Sequence, residues 1–203
     1  MGANTDISIC SSALNLLGEV AIDSLDEETD AARTCAQLYE TVKLSLMTEH
    51  DWSFTKTKVK LARLVTAPLS RWRYQFEMPT DRLSDVYALY GSPGSAAPIT
   101  HYEVQGSKVL ADFADLWLDY QRNVPETEMP GYFVRLLQYD CAAEFAMAIT
   151  EQPTVAELWR TTARGSPSEN GRGGYFRVAA SVDSKGRPNK RIVSDELILV
   201  RQA

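Results

Sequence analysis

The sequence predicts an α+β fold: a four-helix body, an antiparallel β-rich insertion between the second and third helices, and an extended C-terminal arm. Three observations carry this expectation. Apolar residues recur at offsets of three and four over about 5–18, 28–49, 130–150 and 153–164. Residues 52–123, between the second and third stretches, are short runs of aromatic and β-branched residues broken by Pro and Gly. Beyond residue 164 the chain turns Gly-rich and basic. The expected plan is therefore a folded unit over 1–164 and a basic arm over 165–203.

The first helix opens at Thr5 or Asp6, either of which can cap it, and closes at Gly18. Ile7, Cys10, Leu14 and Leu17 form its inward stripe. The acidic run Asp26-Glu27-Glu28-Thr29-Asp30 suits the positive end of a second helix, along which Ala31, Cys35, Leu38, Val42 and Leu46 repeat. Candidate strands follow at 52–64, 71–77, 84–89, 99–105, 108–111 and 116–123, with Gly106-Ser107 as a tight turn. Pro130 fits the first turn of a third helix, with the stripe Phe133, Leu137, Cys141, Phe145 and Ala148. Pro153 opens a fourth helix carrying Val155, Ala156 and Trp159, which ends before Gly165. The run from Ser166 to Gly174 has the composition of a linker. After it, 175–182 and 191–200 are candidate strands.

At 44% hydrophobic and 24% charged residues, the chain can bury a core and is not a disordered polymer. No apolar run approaches the roughly 20 residues of a membrane span, and the start lacks a signal-peptide layout, so a cytoplasmic origin without membrane contact is expected. Three widely spaced cysteines, Cys10, Cys35 and Cys141, fit neither a disulfide framework nor a zinc site and read as reduced core thiols. The formal charge of −6 is uneven: 13 Lys+Arg against 23 Asp+Glu give residues 1–163 a net −10, and 8 against 4 give residues 164–203 a net +4.

No constellation calls for catalysis, a cofactor or a metal. The two histidines, His50 and His101, cannot supply a multi-histidine site. The acidic run lacks the Gly and terminal Glu of a calcium loop. Glu126 and Glu128 read as solvated loop acids. Gly171-Arg172-Gly173-Gly174 is expected to have neither a strand before it nor a helix after it, and it lacks the Lys-Ser/Thr of a phosphate loop. Trp52, Phe54, Trp72, Tyr74 and Phe76 alternate with polar residues, as in a half-buried strand, and a body of net −10 repels phosphate. Arg172, Arg177, Lys185, Arg187, Lys190 and Arg191, with Ile192, Val193, Leu197, Ile198 and Leu199 as apolar anchors, make the arm the candidate partner-binding element.

A resemblance then narrows the reading. Leu17-Gly18-Glu19, Ser24-Leu25 with its acidic run, Ala32 and Cys35 to Tyr39, and Trp52-Ser53-Phe54 follow one another in order. Further on come Tyr74-Gln75-Phe76-Glu77-Met78-Pro79-Thr80-Asp81-Arg82-Leu83, the segment 102–111, Tyr120, and Glu128-Met129-Pro130-Gly131-Tyr132-Phe133. This order, over roughly residues 7 to 160, resembles the tail tubular protein A family, the head-to-tail adaptors of short-tailed bacteriophages. Met78 stands where that family usually has Leu, and the chain beyond Arg164 has no counterpart in the resemblance.

The resemblance implies a structural, non-enzymatic connector subunit of the virion neck, made in the host cytoplasm. It implies a ring, dodecameric to match the portal, between the portal protein and the next tail component. The ring would continue the DNA channel without sequence-specific DNA binding and stabilise the filled head. A tail-associated peptidoglycan hydrolase is the alternative, and a DNA-binding module acting through the arm is a third class.

Overall fold

The structure, a computed structural model, describes residues 4–186. Among them the chain is α+β, with five α-helices and two antiparallel sheets. Helix α1 (Asp6–Leu17) starts on Thr5, which accepts from Ser8 N while Ser8 reciprocates, and ends on Gly18 in the left-handed region, φ 81°. Helix α2 (Asp30–Thr48) is capped by Thr29, whose hydroxyl accepts from Ala32 N. The acidic run is thus a helix entry, but most of it precedes the cap: Glu27 folds back to accept from the backbone of Asp23 and Ser24.

Helix α3 (Gly131–Thr150) is the centre of the helical part, packed against α1, α2 and α4 (Pro153–Arg164). Pro130 is its N-cap, and Ala148 is exposed, so the expected stripe ends at Phe145. Phe133, Leu137, Cys141 and Phe145 are fully buried, joined by Leu136, Ala142 and Ala146. Ten of its 20 residues are buried, more than one stripe supplies, because neighbours cover it on several sides. The face of α2 is rotated by one residue from the expected stripe. Ala32, Cys35, Tyr39, Lys43 and Leu46 are buried, whereas Leu38 and Val42 only flank the core. Cys10, Cys35 and Cys141 are all buried and unbridged.

The strands lie in sequence between α2 and α3. One sheet has the order β1 (Lys56–Lys60), β7 (Trp117–Gln121), β4 (Ala88–Tyr90), and the other β2 (Ala62–Arg63), β3 (Tyr74–Glu77), β6 (Lys108–Ala111), β5 (Glu103–Gln105). Every pairing is antiparallel, and Lys56 opposite Gln121 sets the register of β1 on β7. Phe76, Leu89, Val109, Leu116 and Leu118 form a second core, separate from that of the helices. The strands are shorter than expected: Ser53–Thr55 is a 3-10 turn, and Ile99 makes an isolated bridge to Leu89. At the joint of the two parts, Trp52 is fully buried, donates Nε1–H to the Leu46 carbonyl at 2.9 Å, and meets Phe133 edge-on at 5.2 Å.

The segment after Gly165 corrects two expectations. The run read as a linker is a tight crossing between the end of α4 and the start of a fifth helix, α5 (Gly174–Ser184). A Cβ on Gly173 would lie 2.3 Å from the Glu169 carboxyl carbon, and one on Gly174 would lie 2.6 Å from the Thr162 carbonyl oxygen. The glycines are there for close backbone approach, not for flexibility. The expected strand over 175–182 is helical because Phe176, Ala179 and Asp183, spaced three and four apart, are buried on one face. Burial of that face against α3 and α4 overrides the strand preference of its aromatic and Val residues. The expected strand over 191–200 lies outside the described residues.

Candidate interaction surfaces

Of the partner-binding residues expected from sequence, Arg172, Arg177 and Lys185 are placed, and all three are exposed. Arg177 reaches Glu169 at 3.4 Å, and Arg172 borders a depression shared with Thr48, Glu49 and Arg164. On α5, Val178 and Val182 are exposed beside them, 50% and 39% accessible, so this helix presents an apolar and basic outer face. Arg187, Lys190, Arg191, Ile192, Val193, Leu197, Ile198 and Leu199 lie outside the described residues.

What holds that element to the body is a set of charged contacts that no sequence pattern reveals. Asp183, 3% exposed, accepts from Ser53 N at 3.0 Å, Ser53 Oγ at 2.7 Å and Tyr132 Oη at 2.7 Å. It therefore ties α5 to the joint between helices and sheets. Arg164, the last residue of α4, donates Nε–H to Asp140 at 2.7 Å and a second nitrogen to the other carboxylate oxygen, while also pairing with Glu49 of the α2 C-cap. Its guanidinium lies 5.5 Å from the centre of the Phe176 ring. Burial pushes the Asp140 carboxyl up, against the pull of Arg164. Desolvation opposes the Arg164 charge, but its bonds to Asp140 and Glu49 outweigh that and raise its pKa. The bidentate geometry makes this an ionised pair. Asp140, Arg164, Thr41, Ser45 and Arg160 line an open groove of about 390 Å³.

A second buried pair braces α2 against the segment before α3. Lys43 Nζ lies 2.9 Å from Glu126 and 3.2 Å from Glu40, and Tyr39 Oη donates to Glu126 at 3.1 Å. Glu126 is therefore a half-buried structural acid rather than a solvated one, whereas Glu128 is exposed and paired with Arg122. Burial raises the Glu126 carboxyl most, but the hydrogen bond and charge of Lys43, a backbone hydrogen bond and the Tyr39 hydroxyl together outweigh it and leave the group below the usual carboxylate value. Burial likewise lowers Lys43, and its two glutamates more than reverse that. No part of this could be found from spacing alone, since the partners are 83 residues apart in the chain.

The outer face of β1 carries a ladder legible in its period of two. Lys56, Lys58 and Lys60 project to one side, 4.7, 4.0 and 5.2 Å from the ring centres of Tyr87, Tyr90 and Trp117. Asp51, Asp119 and Asp115 pair with them at 3.0, 3.4 and 2.8 Å. Each lysine thus has a ring and a carboxylate, and the stripe is electrically balanced. Trp52, Trp72 and Phe76 are buried, as a core reading of the aromatic alternation requires, and the His101 ring packs tilted against Trp72 with ring centres 4.6 Å apart. Among the described residues no group of three or more His, Cys, Asp or Glu is placed to hold a metal ion, and no helix is long and apolar enough to cross a membrane.

No family model matches the chain, and a search of curated proteins returns no relative.

Proposed function

We propose that this chain is an adaptor subunit of a tailed bacteriophage, a structural protein that joins the portal to the tail. The single observation that carries the reading is the ordered run of landmarks resembling the tail tubular protein A family. Those landmarks occupy structural positions here: Gly18 closes α1, Cys35 and Tyr39 are core residues of α2, Trp52 seals the joint, and Tyr120 donates to Asp81 at 3.1 Å. A resemblance carried by fold-making residues supports kinship of scaffold, and adaptors work as scaffolds.

In this reading the helices are the body of the subunit and the β-rich part is an insertion growing from the end where α2 leaves and α3 returns. Copies assemble by heterologous contacts into a ring, twelvefold to match the portal. The ring sits in the virion neck, passes genomic DNA without reading its sequence, and presents a platform to the next tail component. Residues 187–203 are the remaining part of the partner-binding arm, and their basic and apolar composition suits an acidic groove on the portal.

The test mixes the purified full chain with portal rings of the phage that carries its gene and sediments the mixture. Co-sedimentation as one complete ring per portal is the expected result. Portal rings that stay bare at saturating concentrations of a folded chain contradict the proposal.

A further inference from the structure

We propose that copies of this chain bind one another by docking the loop 64–73 of one onto the acidic connection 19–30 of the next. This names the copy-to-copy contact of the ring proposed above, and rests on that reading for its closure into a ring.

The two segments lie at opposite ends of the molecule. Residues 19–30 lead into the start of α2 and border a depression with Ala148, Ile149 and Glu151 at the end of α3. The sheets begin where α2 stops, 19 residues or about 28 Å farther along its axis. Within the sheets β3 runs back toward the helices. Just beyond it the Asp81 carbonyl accepts from Asn123 N at 2.7 Å, on the segment that leaves β7 for α3. The β2–β3 loop is therefore at the far end of the sheet, and it cannot reach the acidic connection of its own chain.

Their surfaces are complementary. The connection holds six acids and no Lys or Arg, and of its exposed carboxylates only Asp30 is in an ion pair among the described residues. Val20 stands among them, 83% exposed. The loop and its flanks, residues 61–73, hold Arg63, Arg71 and Arg73 and no acid. Tyr74 and Trp72 hold Arg63 and Arg71 over their rings, 5.1 and 4.8 Å from the ring centres, which fixes the charges in place. Between them Val65 and Leu69 are fully exposed, at 105% and 107%, beside Pro68, which stiffens the turn. An apolar tip with a basic rim is the counterpart of an acidic rim around an apolar residue. Like ends repel, so only unlike ends pair, and the contact is heterologous. The contact is small and ionic, so it is weak in dilute solution and sensitive to salt.

Sedimentation of the purified chain alone tests this, so portal binding plays no part in the outcome. Three proteins are compared over a range of concentrations: the natural chain, R63E/R71E/R73E, and D23K/D26K/E28K. The substituted residues are surface groups, and circular dichroism checks that both variants fold. The natural chain should self-associate at low ionic strength, on the order of tenfold more weakly in high salt. Each variant alone should be monomeric. An equimolar mixture of the two should associate again as pairs, because the unaltered basic loop of D23K/D26K/E28K then meets the unaltered acidic connection of R63E/R71E/R73E. A natural chain that is monomeric throughout, variants that associate as well as it does, or a mixture that stays monomeric would each overturn the proposal.

Discussion

The buried charges are the residues most sensitive to substitution. Lys43 and Glu126 stabilise the fold only while both are ionised. Glu126 sits below its usual 4.5, so its contribution is present above that pH and is lost as pH falls through the lower folded value. Lys43 sits above its usual 10.5, so its contribution is present below that pH and is lost as pH rises through the higher folded value. Stability measured by urea unfolding should therefore hold between these limits and fall on both sides. The K43M variant should lose part of both limbs, and a profile with the natural slopes would refute the assignment. Replacing Arg164 with Ala leaves Asp140, 6% exposed, with its charge uncompensated, and should cost about 3–5 kcal/mol. Leu137→Ala, at a fully buried position, should cost about 2–5 kcal/mol. The three cysteines should resist a bulky thiol reagent in the folded chain, and rapid labelling would contradict their burial.

Elements were legible where local chemistry decides them. Thr5 and Gly18 bound α1, and Pro153 and Gly165 bound α4, because capping and proline geometry act within one turn. The two-residue turn at Gly106-Ser107 was legible for the same reason, with Gly106 at φ 60° between paired Gln105 and Lys108. The stretch 165–184 was not. Its glycines carry the composition of a linker, and only the Glu169 side chain against Gly173 and the α4 backbone against Gly174 show that these two are packing residues. Likewise the core face of α2 includes Lys43, which a hydrophobic pattern passes over, since a charge becomes a core residue only through partners remote in sequence. Gly174→Ala places a Cβ against the Thr162 carbonyl at φ 49° and should destabilise by more than about 1 kcal/mol, measured by chemical unfolding. Gly94→Ala, with nothing within 4 Å, should be close to neutral and serves as its control.

At the scale of the whole molecule, the boundary between body and arm moves. Truncation after Arg164 removes Phe176, Ala179 and Asp183 from the helical core, so that fragment should lose much of its cooperative unfolding. Truncation after Gly186 keeps them and should retain cooperative unfolding. If the adaptor reading holds, this shorter chain should bind portal rings less well than the full one, because it lacks Arg187 and the apolar residues beyond it. The most direct measurement of the proposed adaptor role is to label the chain in virions of the phage proposed to encode it and image the label by electron microscopy. A ring of label at the junction of head and tail is the expected result, and label confined to the tail tip, or absent from virions, would contradict the adaptor role.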